Sequence, residues 1–554
     1  MRRYALILIG FLCLMCQYTL AQISEGGKPI SFSLNLADTR TDRMPVLIMP
    51  SVDVKSLHEE DAKTRANGME NEPKPFRFGY AIDVDIDIKR DGIRTELPDG
   101  SNLWMLKIHS SDAYSINLIF SNFRLAEGSK FFVYNEDRTM ILGAFTPEVS
   151  NNPYNEFATD LIQGNSIILE YYEPKLPNDG VINVSKVIHG YIDTFSDFST
   201  GLGASADCNI DANCPLGNNW INEKRAVSMV LLAENTAFCT GCLVNNTQQD
   251  FKPYYLTANH CYFDSNGTLT QNPSTNIFRF RYWRPNCSSG NPSNWVSVVG
   301  ATIRANYETT DFALLELKMR PPVDYNVYYA GWDRTATPAQ NTTAIHHPRG
   351  DAMKISHDAD SAVAVPWQYH YTGALTYWRA TFDYGIVQHG SSGSPLFNQN
   401  HKIIGQLRGR QGNQCGSHTS DNACHCSQTP IGEYGRFDLS WIGGGTDDSR
   451  LSNWLDPNNT GVSVLDGSCE LAVDFSNNYT LYIYADITFY SCGDFNVYNL
   501  IVTNGAVLTL EAAGDINVQN VKVQNGAKLI LDAVGEVNII SDFEVELGSE
   551  FEIK

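Results

Sequence analysis

The sequence predicts an all-β protein in which three domains follow an export signal. Three observations favour this: short runs of alternating apolar and polar residues between turn residues, cysteines concentrated in the middle of the chain, and a repeat near its C-terminus. At 554 residues the chain is too long for a single hydrophobic core. Its formal net charge of −22 would repel phosphate, so we expect no nucleic-acid partner.

Residues 1–21 have the pattern of a cleaved signal peptide. A basic start at Arg2 and Arg3 precedes an apolar run, and the small-residue end of that run at Ala21 resembles a cleavage site. The run is too short to span a bilayer, and no later stretch is long and apolar enough. We therefore expect a secreted protein, extracellular or at the cell surface, with no integral membrane segment after signal removal.

Residues 22–203 predict a β-sandwich. Alternating runs such as residues 103–108 and 115–120 recur between turn signals such as residues 98–100. The polar stretch from residue 58 to residue 74 is predicted to be a loop or linker.

Residues 204–467 carry most of the cysteines. Nine lie between Cys208 and Cys426, which in an exported chain indicates a disulfide framework, and the odd number leaves one thiol free or paired elsewhere. His418 lies among Cys415, Cys424 and Cys426, but the spacing is unlike that of structural zinc sites. We expect no metal and no cofactor.

Residues 468–554 contain a repeat. Residues 497–517 align with residues 518–538 at a period of 21, and a partial third copy follows. Repeats that cannot bury a face alone are expected to stack, so we predict a small β-solenoid. Two ordinary hairpins are the alternative.

Three segments of the middle domain carry candidate catalytic residues. His260 follows an apolar run, Asp311 opens another, and Ser392 lies beside glycines whose backbone N–H groups could converge on one point. Each motif alone is weak. Together their order, His before Asp before Ser, is that of chymotrypsin-type proteases and differs from that of subtilisins and α/β-hydrolases.

The middle domain resembles the bacterial lysyl endopeptidases, a secreted branch of the chymotrypsin clan. The resemblance spans residues 208–467 and lies in these segments: residues 208–211, 240–247, 330–334, 345–348, 390–397, 405–407, 434–436 and 450–457. It implies a trypsin-like double β-barrel protease domain, preceded by a β-sandwich prodomain and followed by the solenoid.

The resemblance also implies roles for the candidate residues. Ser392 would be the nucleophile, His260 the general base and Asp311 its orienting carboxylate, with the N–H groups of Gly390 and Ser392 as the oxyanion hole. The family's disulfides suggest the pairs Cys208–Cys415, Cys214–Cys287 and Cys239–Cys261, and we expect Cys469–Cys492 beyond them. Cys242 is additional, and Cys424 or Cys426 is a candidate partner for it.

The sequence departs from the family in the predicted S1 pocket. The family's lysine-binding Asp corresponds to Gly432, with Glu433 one residue later, and the family's pocket His corresponds to Arg408. We therefore expect a P1 preference other than lysine, with Arg408 favouring acidic or polar side chains. Rescue of basic specificity by Glu433 through a shifted loop is the alternative. No Lys or Arg lies between Val187 and Glu223, so self-processing after lysine is not expected at the domain junction.

These observations predict a monomeric serine endopeptidase that acts on protein or peptide substrates. Ser391 stands where trypsin has the Asp that receives the new N-terminus, so we expect activation by removal of the N-terminal domain instead. That domain also resembles the propeptides of the family, notably at residues 143–145 and 164–170. The alternative is a catalytically inactive, protease-like binding or adhesion protein.

Overall fold

A computed structural model describes most of the chain. Its residues are 24–34, 44–71, 76–195, 205–234, 236–292, 295–367, 373–409, 430–470 and 480–554. The predicted signal peptide lies outside these residues, as do Cys415, His418, Cys424 and Cys426. Leu20–Glu470 form one compact unit, and Leu471–Lys554 belong to another.

The N-terminal domain is a β-sandwich, as predicted. Its strands are β1 Val46–Ile48, β2 Phe76–Arg77, β3 Gly79–Asp87, β4 Ile93–Glu96, β5 Asn102–His109, β6 Ser115–Arg124, β7 Lys130–Asn135, β8 Ile141–Phe145, β9 Phe157–Ala158, β10 Ile162–Gln163, β11 Ser166–Glu173 and β12 Val181–Gly190. One sheet has the order β1-β5-β11-β7-β8, with β4 on β5. The other has the order β10-β6-β12-β3, with β9 on β6. Their apolar faces enclose a core that includes Phe120, Phe123 and Leu169.

The polar stretch predicted as a loop is largely a helix, so that prediction was wrong. Helix α1 runs over Val54–Asn71, and the short helices α2 Ile88–Asp91 and α3 Pro147–Ser150 follow. Leu57 and Asp61 lie one turn apart on a buried face of α1. The Asp61 carboxylate accepts hydrogen bonds from Arg77 Nε at 2.8 Å and Tyr191 Oη at 2.6 Å. These tertiary contacts hold a helix whose composition alone suggested a linker.

The middle domain has two antiparallel sheets, the arrangement expected of a double β-barrel. Its strands are β13 Ile210–Asp211, β14 Val227–Leu232, β15 Ala237–Leu243, β16 Tyr254–Ala258, β17 Ile277–Phe280, β18 Val296–Val299, β19 Ala301–Tyr307, β20 Phe312–Leu317, β21 Trp332–Asp333, β22 Thr342–His346, β23 Lys354–Asp358, β24 Val363–Val365, β25 Tyr377–Thr381, β26 Pro395–Asn398, β27 Ile403–Gly409, β28 Ile431–Arg436 and β29 Val464–Leu465. Its helices are α4 Ile221–Ala226, α5 Phe437–Ile442 and α6 Ser452–Leu455. The first sheet has the order β18-β17-β14-β15-β16-β20-β19, and the second the order β13-β23-β22-β26-β27-β28-β25-β24.

Disulfides restrain loops of the middle domain. The bonds Cys214–Cys287 and Cys239–Cys261 are formed, and Cys208, Cys469 and Cys492 are each in a disulfide. The Cys239–Cys261 bond joins β15 to the residue after His260, which restrains the loop that carries this histidine.

Cys242 is a free, buried thiol, so pairing with Cys424 or Cys426 does not form. It lies in the centre of the first sheet, where β15 places it beside Val227 of β14 and Leu256 of β16. Burial raises the pKa of the thiol well above its usual value and keeps it neutral. Cys242 is therefore a small apolar core residue.

The C-terminal domain is a β-solenoid, as predicted. Its strands are β30 Leu481–Ile483, β31 Ile487–Ser491, β32 Phe495–Val502, β33 Val507–Ala512, β34 Ile516–Val523, β35 Lys528–Ala533, β36 Val537–Val545 and β37 Glu550–Ile553. They form two sheets of parallel strands, β30-β32-β34-β36 and β31-β33-β35-β37. Parallel pairing excludes the hairpin alternative, because hairpin strands are antiparallel.

The repeat period sets the stacking of the solenoid coils. The Asn517 side chain donates to Asn496 at 3.1 Å, and Asn538 donates to Asn517 at 3.1 Å, each across one coil. Inside the coils, Leu508 and Leu529 are wholly buried. The apolar side chains of successive repeats thus lie inside the stacked coils.

In the part of the chain that the structure describes, no helix is both long and apolar enough to cross a membrane.

Candidate active site

The pairing of two strands brings His260 and Asp311 together. Strand β16 ends at Ala258, opposite Phe312, the first residue of the antiparallel strand β20. His260 therefore follows the end of one strand at the point where Asp311 precedes the start of the next. The Asn259 N–H donates to the Asp311 carbonyl at 2.8 Å and closes this corner.

The Asp311 carboxylate holds His260 at two points. Oδ2 lies 2.7 Å from ring atom Nδ1, and Oδ1 accepts the backbone N–H at 3.0 Å. Because a carboxylate only accepts, Nδ1 is the donor in this contact, and in the neutral ring Nε2 therefore keeps its lone pair. Nε2 is buried and has no hydrogen-bond partner among the described residues. The arrangement leaves one ring nitrogen ready to accept a proton.

The second sheet fixes the backbone that carries Asp311. This residue adopts a left-handed conformation with φ of 56° and is 1% exposed. The Gln406 side chain, on β27, donates to the Thr310 carbonyl at 2.6 Å. Ser440 donates to the Thr310 hydroxyl at 2.8 Å. Both contacts oppose the relaxation of an uncommon backbone conformation.

Ser392 lies in the loop that precedes β26, and Thr240 of the first sheet ties that loop down. The Thr240 N–H donates to the Ser392 carbonyl and its hydroxyl to the Gly390 carbonyl, both at 2.8 Å. Thr257, on the strand that leads to His260, donates to the Thr240 carbonyl at 2.7 Å. The Ser392 loop is thus linked to the strand that carries the histidine.

Gly393 lets the two segments touch. Its φ is +84°, and a Cβ at this position would lie 2.7 Å from the backbone nitrogen of Ala258 and closer still to Thr257 Oγ1 and the Thr240 carbonyl. Only glycine fits such a close approach to backbone atoms. Gly393, the residue after Ser392, therefore packs directly against the end of the strand that precedes His260.

Two backbone N–H groups of this loop are open. Those of Gly390 and Ser392 donate to no acceptor within the described residues, whereas the N–H groups of Ser391 and Gly393 donate to the carbonyls of Gln388 and Leu407. Gly390 has a φ of +91°. Two N–H groups without an acceptor, next to a serine, are the arrangement needed to stabilise an oxyanion.

Ser391 forms a neutral contact inside the second sheet. Its hydroxyl lies 2.8 Å from Nδ1 of His346, whose Nε2 lies 3.0 Å from the Ser356 hydroxyl. Burial lowers the pKa of His346 to about 3, and burial does the same for its neighbour His347. Both histidines are therefore neutral at physiological pH.

Arg408 is enclosed by aromatic rings and backbone. Its Nη1 donates to Tyr377 Oη at 3.0 Å and to the Glu308 carbonyl at 3.2 Å, and its guanidinium lies 4.7 Å from the centre of the Trp367 ring. Burial acts to lower the pKa of Arg408, but the negative charge of Asp311 and the Tyr377 hydroxyl raise it, and the net direction is upward. The side chain stays charged beside Asp311.

Glu433 and Gly432 lie on β28. The Glu433 carboxylate is wholly buried and lies 2.7 Å from Nη2 of Arg379, directly across the strand pair. A Cβ on Gly432 would lie 2.8 Å from the Tyr434 ring and 3.1 Å from the Phe382 ring. The structure thus places aromatic rings around Gly432, and the carboxylate of the next residue is already paired.

The sequence did not reveal how Thr240 and Gln388 support this site. Gln388 accepts the Ser391 N–H with its carbonyl, and its side-chain oxygen accepts the Ala206 N–H at 2.9 Å. Thr240 belongs to a segment that carries the family resemblance and follows Cys239 of the disulfide. The position of Thr240 in that segment could have indicated its role from the sequence. No feature of the sequence indicated the role of Gln388.

The buried histidines predict a loss of stability in acid. Their pKa of about 3 lies below the unfolded value of 6.5, so the unfolded state binds more protons between these values. The free energy of unfolding should fall by about 1.4 kcal/mol per pH unit for each histidine as pH drops from 6.5. Urea titrations from pH 7.5 to 4.5 would measure this slope.

His346→Gln should remove one histidine's share of that slope. His357→Gln, on the neighbouring strand and partly exposed, is the matched control for the loss of an imidazole. An unchanged slope in His346→Gln would contradict the assignment.

Comparisons with known proteins agree with the motifs. Residues 202–425 match a family model described as the lysyl endopeptidase C-terminal domain. The lysyl endopeptidase of Pseudomonas aeruginosa is 32% identical over 273 residues, which cover 47% of this chain and 56% of that protein. The chain therefore matches little more than half the length of this relative.

Among solved structures, the chain is similar to two proteases at low sequence identity. Rv3671c from M. tuberculosis, in an inactive form, is 14% identical with a TM-score of 0.26, and the match covers 40% of this chain and 88% of that chain. The HtrA-type protease AlgW with a tripeptide is 15% identical with a TM-score of 0.28, covering 42% of this chain and 65% of that chain. The family match confirms the resemblance inferred from the motifs: residues 202–425 are similar to the C-terminal domain of lysyl endopeptidases.

Proposed function

We propose that this protein is a secreted serine endopeptidase that hydrolyses peptide bonds through a Ser392–His260–Asp311 triad. The observation that carries the proposal is the double contact of Asp311 with His260, which leaves Nε2 as the only free ring nitrogen. The Ser392 loop is tied to the strand before that histidine through Thr240. The family match of residues 202–425 supports the same reading.

In this mechanism His260 Nε2 takes the proton of the Ser392 hydroxyl as its oxygen attacks the substrate carbonyl. The oxygen of the resulting tetrahedral intermediate receives hydrogen bonds from the N–H groups of Gly390 and Ser392. His260 then gives the proton to the leaving amine, and the acyl-enzyme forms. Water, deprotonated by His260, completes the hydrolysis, while Asp311 stabilises the protonated ring.

The proposal includes the substrate preference: we expect the residue preferred at P1 to be one other than lysine. A lysine pocket needs an anion that is free to pair with the substrate. Gly432 supplies none, and the buried carboxylate of Glu433 already pairs with Arg379. Arg408 adds a positive charge that would disfavour a cationic side chain.

The precursor is proposed to be exported and matured by cleavage. The signal peptide would be residues 1–21, the N-terminal domain residues 22–203, the protease domain residues 204–467 and the solenoid residues 468–554. Disulfides in the described residues suit an oxidising compartment. We place the maturation cut between the first two domains, which makes the precursor a zymogen, and expect a monomer.

Reaction with a fluorophosphonate tests the nucleophile. The matured protein should be labelled, because the reagent traps a serine that an adjacent base has activated. Ser392→Ala should lose labelling and peptide hydrolysis, and Asp311→Asn should lower kcat about 10⁴-fold because His260 would take the wrong tautomer.

Ser361→Ala, at an exposed serine of the same domain, is the control and should be labelled normally. Labelling that survives Ser392→Ala would contradict the proposed nucleophile. A matured protein with no labelling at all would favour the alternative, an inactive protease-like binding protein.

A second prediction concerns Gly393. In Gly393→Ala the new methyl group would push the Ser392 loop away from Thr257 and Ala258. Because displacement of about 1 Å is enough to cost about 100-fold in rate, kcat/KM should fall at least that far. Peptide hydrolysis by the purified variant measures the loss.

Gly461→Ala is the matched control for this change. Gly461 has a similar φ of +78°, but no atom lies within 4 Å of a Cβ built there. It should carry the same backbone strain and keep its activity. Equal losses in the two variants would show that strain, not the close approach of the loop, explains the effect.

Cleavage of a mixed peptide library tests the P1 preference. We expect the matured protein to cut mainly after residues other than lysine, because Gly432 carries no charge and the Glu433 carboxylate already pairs with Arg379. Mass spectrometry of the products identifies P1, and the Ser392→Ala protein controls for contaminating proteases. Dominant cleavage after lysine would refute this part of the proposal.

A further inference from the structure

The first sheet of the middle domain contains a buried cation whose anion comes from the N-terminal domain. Arg279, on β17, is wholly buried. Its Nε donates to Asp160 Oδ2 at 3.2 Å, and Nη2 forms an ion pair with Oδ1. Asp160 lies between β9 and β10 of the sandwich and is also wholly buried. Ser297 of the middle domain donates to the same carboxylate at 2.7 Å.

A strand of the N-terminal domain extends the same sheet. β15 pairs with β16 only at Cys242 and Leu243, which leaves its first residues available. β2 takes this place, with Phe76 opposite Phe238 and Arg77 opposite Ala237. The Phe78 N–H adds a bond of 2.7 Å to the Thr236 carbonyl. The sheet is thus built from two domains.

The apolar contact between the domains is a continuous core. Phe78, Leu161 and Tyr191 of the N-terminal domain pack in one buried cluster with Leu231, Phe238 and Ile277 of the middle domain. The rings of Phe78 and Phe238 stack with centres 4.5 Å apart. A wholly buried apolar centre is typical of obligate interfaces, whereas transient ones are more polar.

The contact reaches the loop of the proposed nucleophile. The Arg349 guanidinium lies 6.0 Å from the centre of the Phe76 ring, and the Arg349 N–H donates to the His389 carbonyl at 2.5 Å. His389 precedes Gly390, one of the two residues with an open N–H. The N-terminal domain therefore packs against a residue that supports the oxyanion loop.

The chain beyond the domain junction is anchored separately. The Ser205 N–H donates to Asp351 Oδ2 at 3.0 Å, and its hydroxyl to the same oxygen at 2.6 Å. The Ala206 N–H donates to Gln388 at 2.9 Å. A cut before Ser205 leaves these bonds and the contact between the domains in place.

We propose that the N-terminal domain, residues 24–195, stays bound to the middle domain after the chain between them is cut. It is a permanent part of the mature protein that completes the first sheet and neutralises Arg279. Maturation then cuts the chain without releasing the domain, which differs from the removal expected from the sequence. This inference goes beyond the proposed function and does not depend on catalysis.

The test uses the full chain with Ser392→Ala and a recognition site for an external protease inserted within residues 196–204. After cutting, the two fragments should co-elute on size exclusion at the position of the uncut protein, at micromolar concentration and in 0.5 M salt. Separation of the fragments in the absence of denaturant would overturn the proposal.

Variants of the ion pair test its physical basis. Asp160→Ala leaves a buried, unpaired cation and should weaken the association of the cut fragments about 100-fold or more. Asp160→Ala with Arg279→Met removes both charges and should restore most of the association. Glu136→Ala, which breaks the exposed pair with Lys107, is the control and should behave as the parent.

Each result separates the alternatives. If Asp160→Ala associates as tightly as the parent, the ion pair does not hold the domains and that part of the proposal fails. If Asp160→Ala does not fold, the double variant and the cut parent protein still decide the outcome. Failure of the proposed catalysis would change neither measurement, because every protein here lacks the Ser392 hydroxyl.

Discussion

The candidate site of the middle domain depends on one contact, in which the carboxylate of Asp311 binds both the backbone nitrogen and the ring Nδ1 of His260. Asp311 can orient the ring of His260 only if its own backbone is fixed, and that backbone is left-handed. The restraint comes from the second sheet, where Gln406 binds the carbonyl of Thr310. Both sheets are therefore needed to set one hydrogen bond.

The same dependence holds for the loop of Ser392. Thr240 of the first sheet binds its carbonyls, Ala206 binds Gln388, and Arg349 binds the residue before Gly390. Each support comes from a different segment of the chain. In the proposed mechanism the N–H groups of this loop must stay free for the oxyanion, so the loop's rigidity has to come from its surroundings.

The candidate site was largely predictable because its chemistry demands particular residue types at strand ends. His260, Asp311 and Ser392 each stand next to an apolar run or a glycine. Their order along the chain restricted the possible folds to the chymotrypsin type. The solenoid was predictable for a similar reason, since a period in the sequence becomes a period in space.

Contacts between distant segments left no such pattern. Asp160 in a connection and Arg279 in an apolar strand are 119 residues apart, and only the folded chain pairs them. A two-residue strand such as Phe76–Arg77 is too short to show a period. The helix over Val54–Asn71 was missed because its stability comes from tertiary contacts of one face, not from an apolar stripe.

The proposed P1 preference other than lysine depends on charges that pair inside the protein. The family's lysine pocket, as the resemblance implies, relies on a carboxylate that the substrate can pair with. Here Glu433 is wholly buried and already pairs with Arg379 across the strands. Recruiting it would leave Arg379 without that partner and would require exposure of a buried anion, and both steps cost free energy. A lysine side chain would therefore have to compete with Arg379 for the Glu433 carboxylate, which supports the proposed preference for other residues at P1.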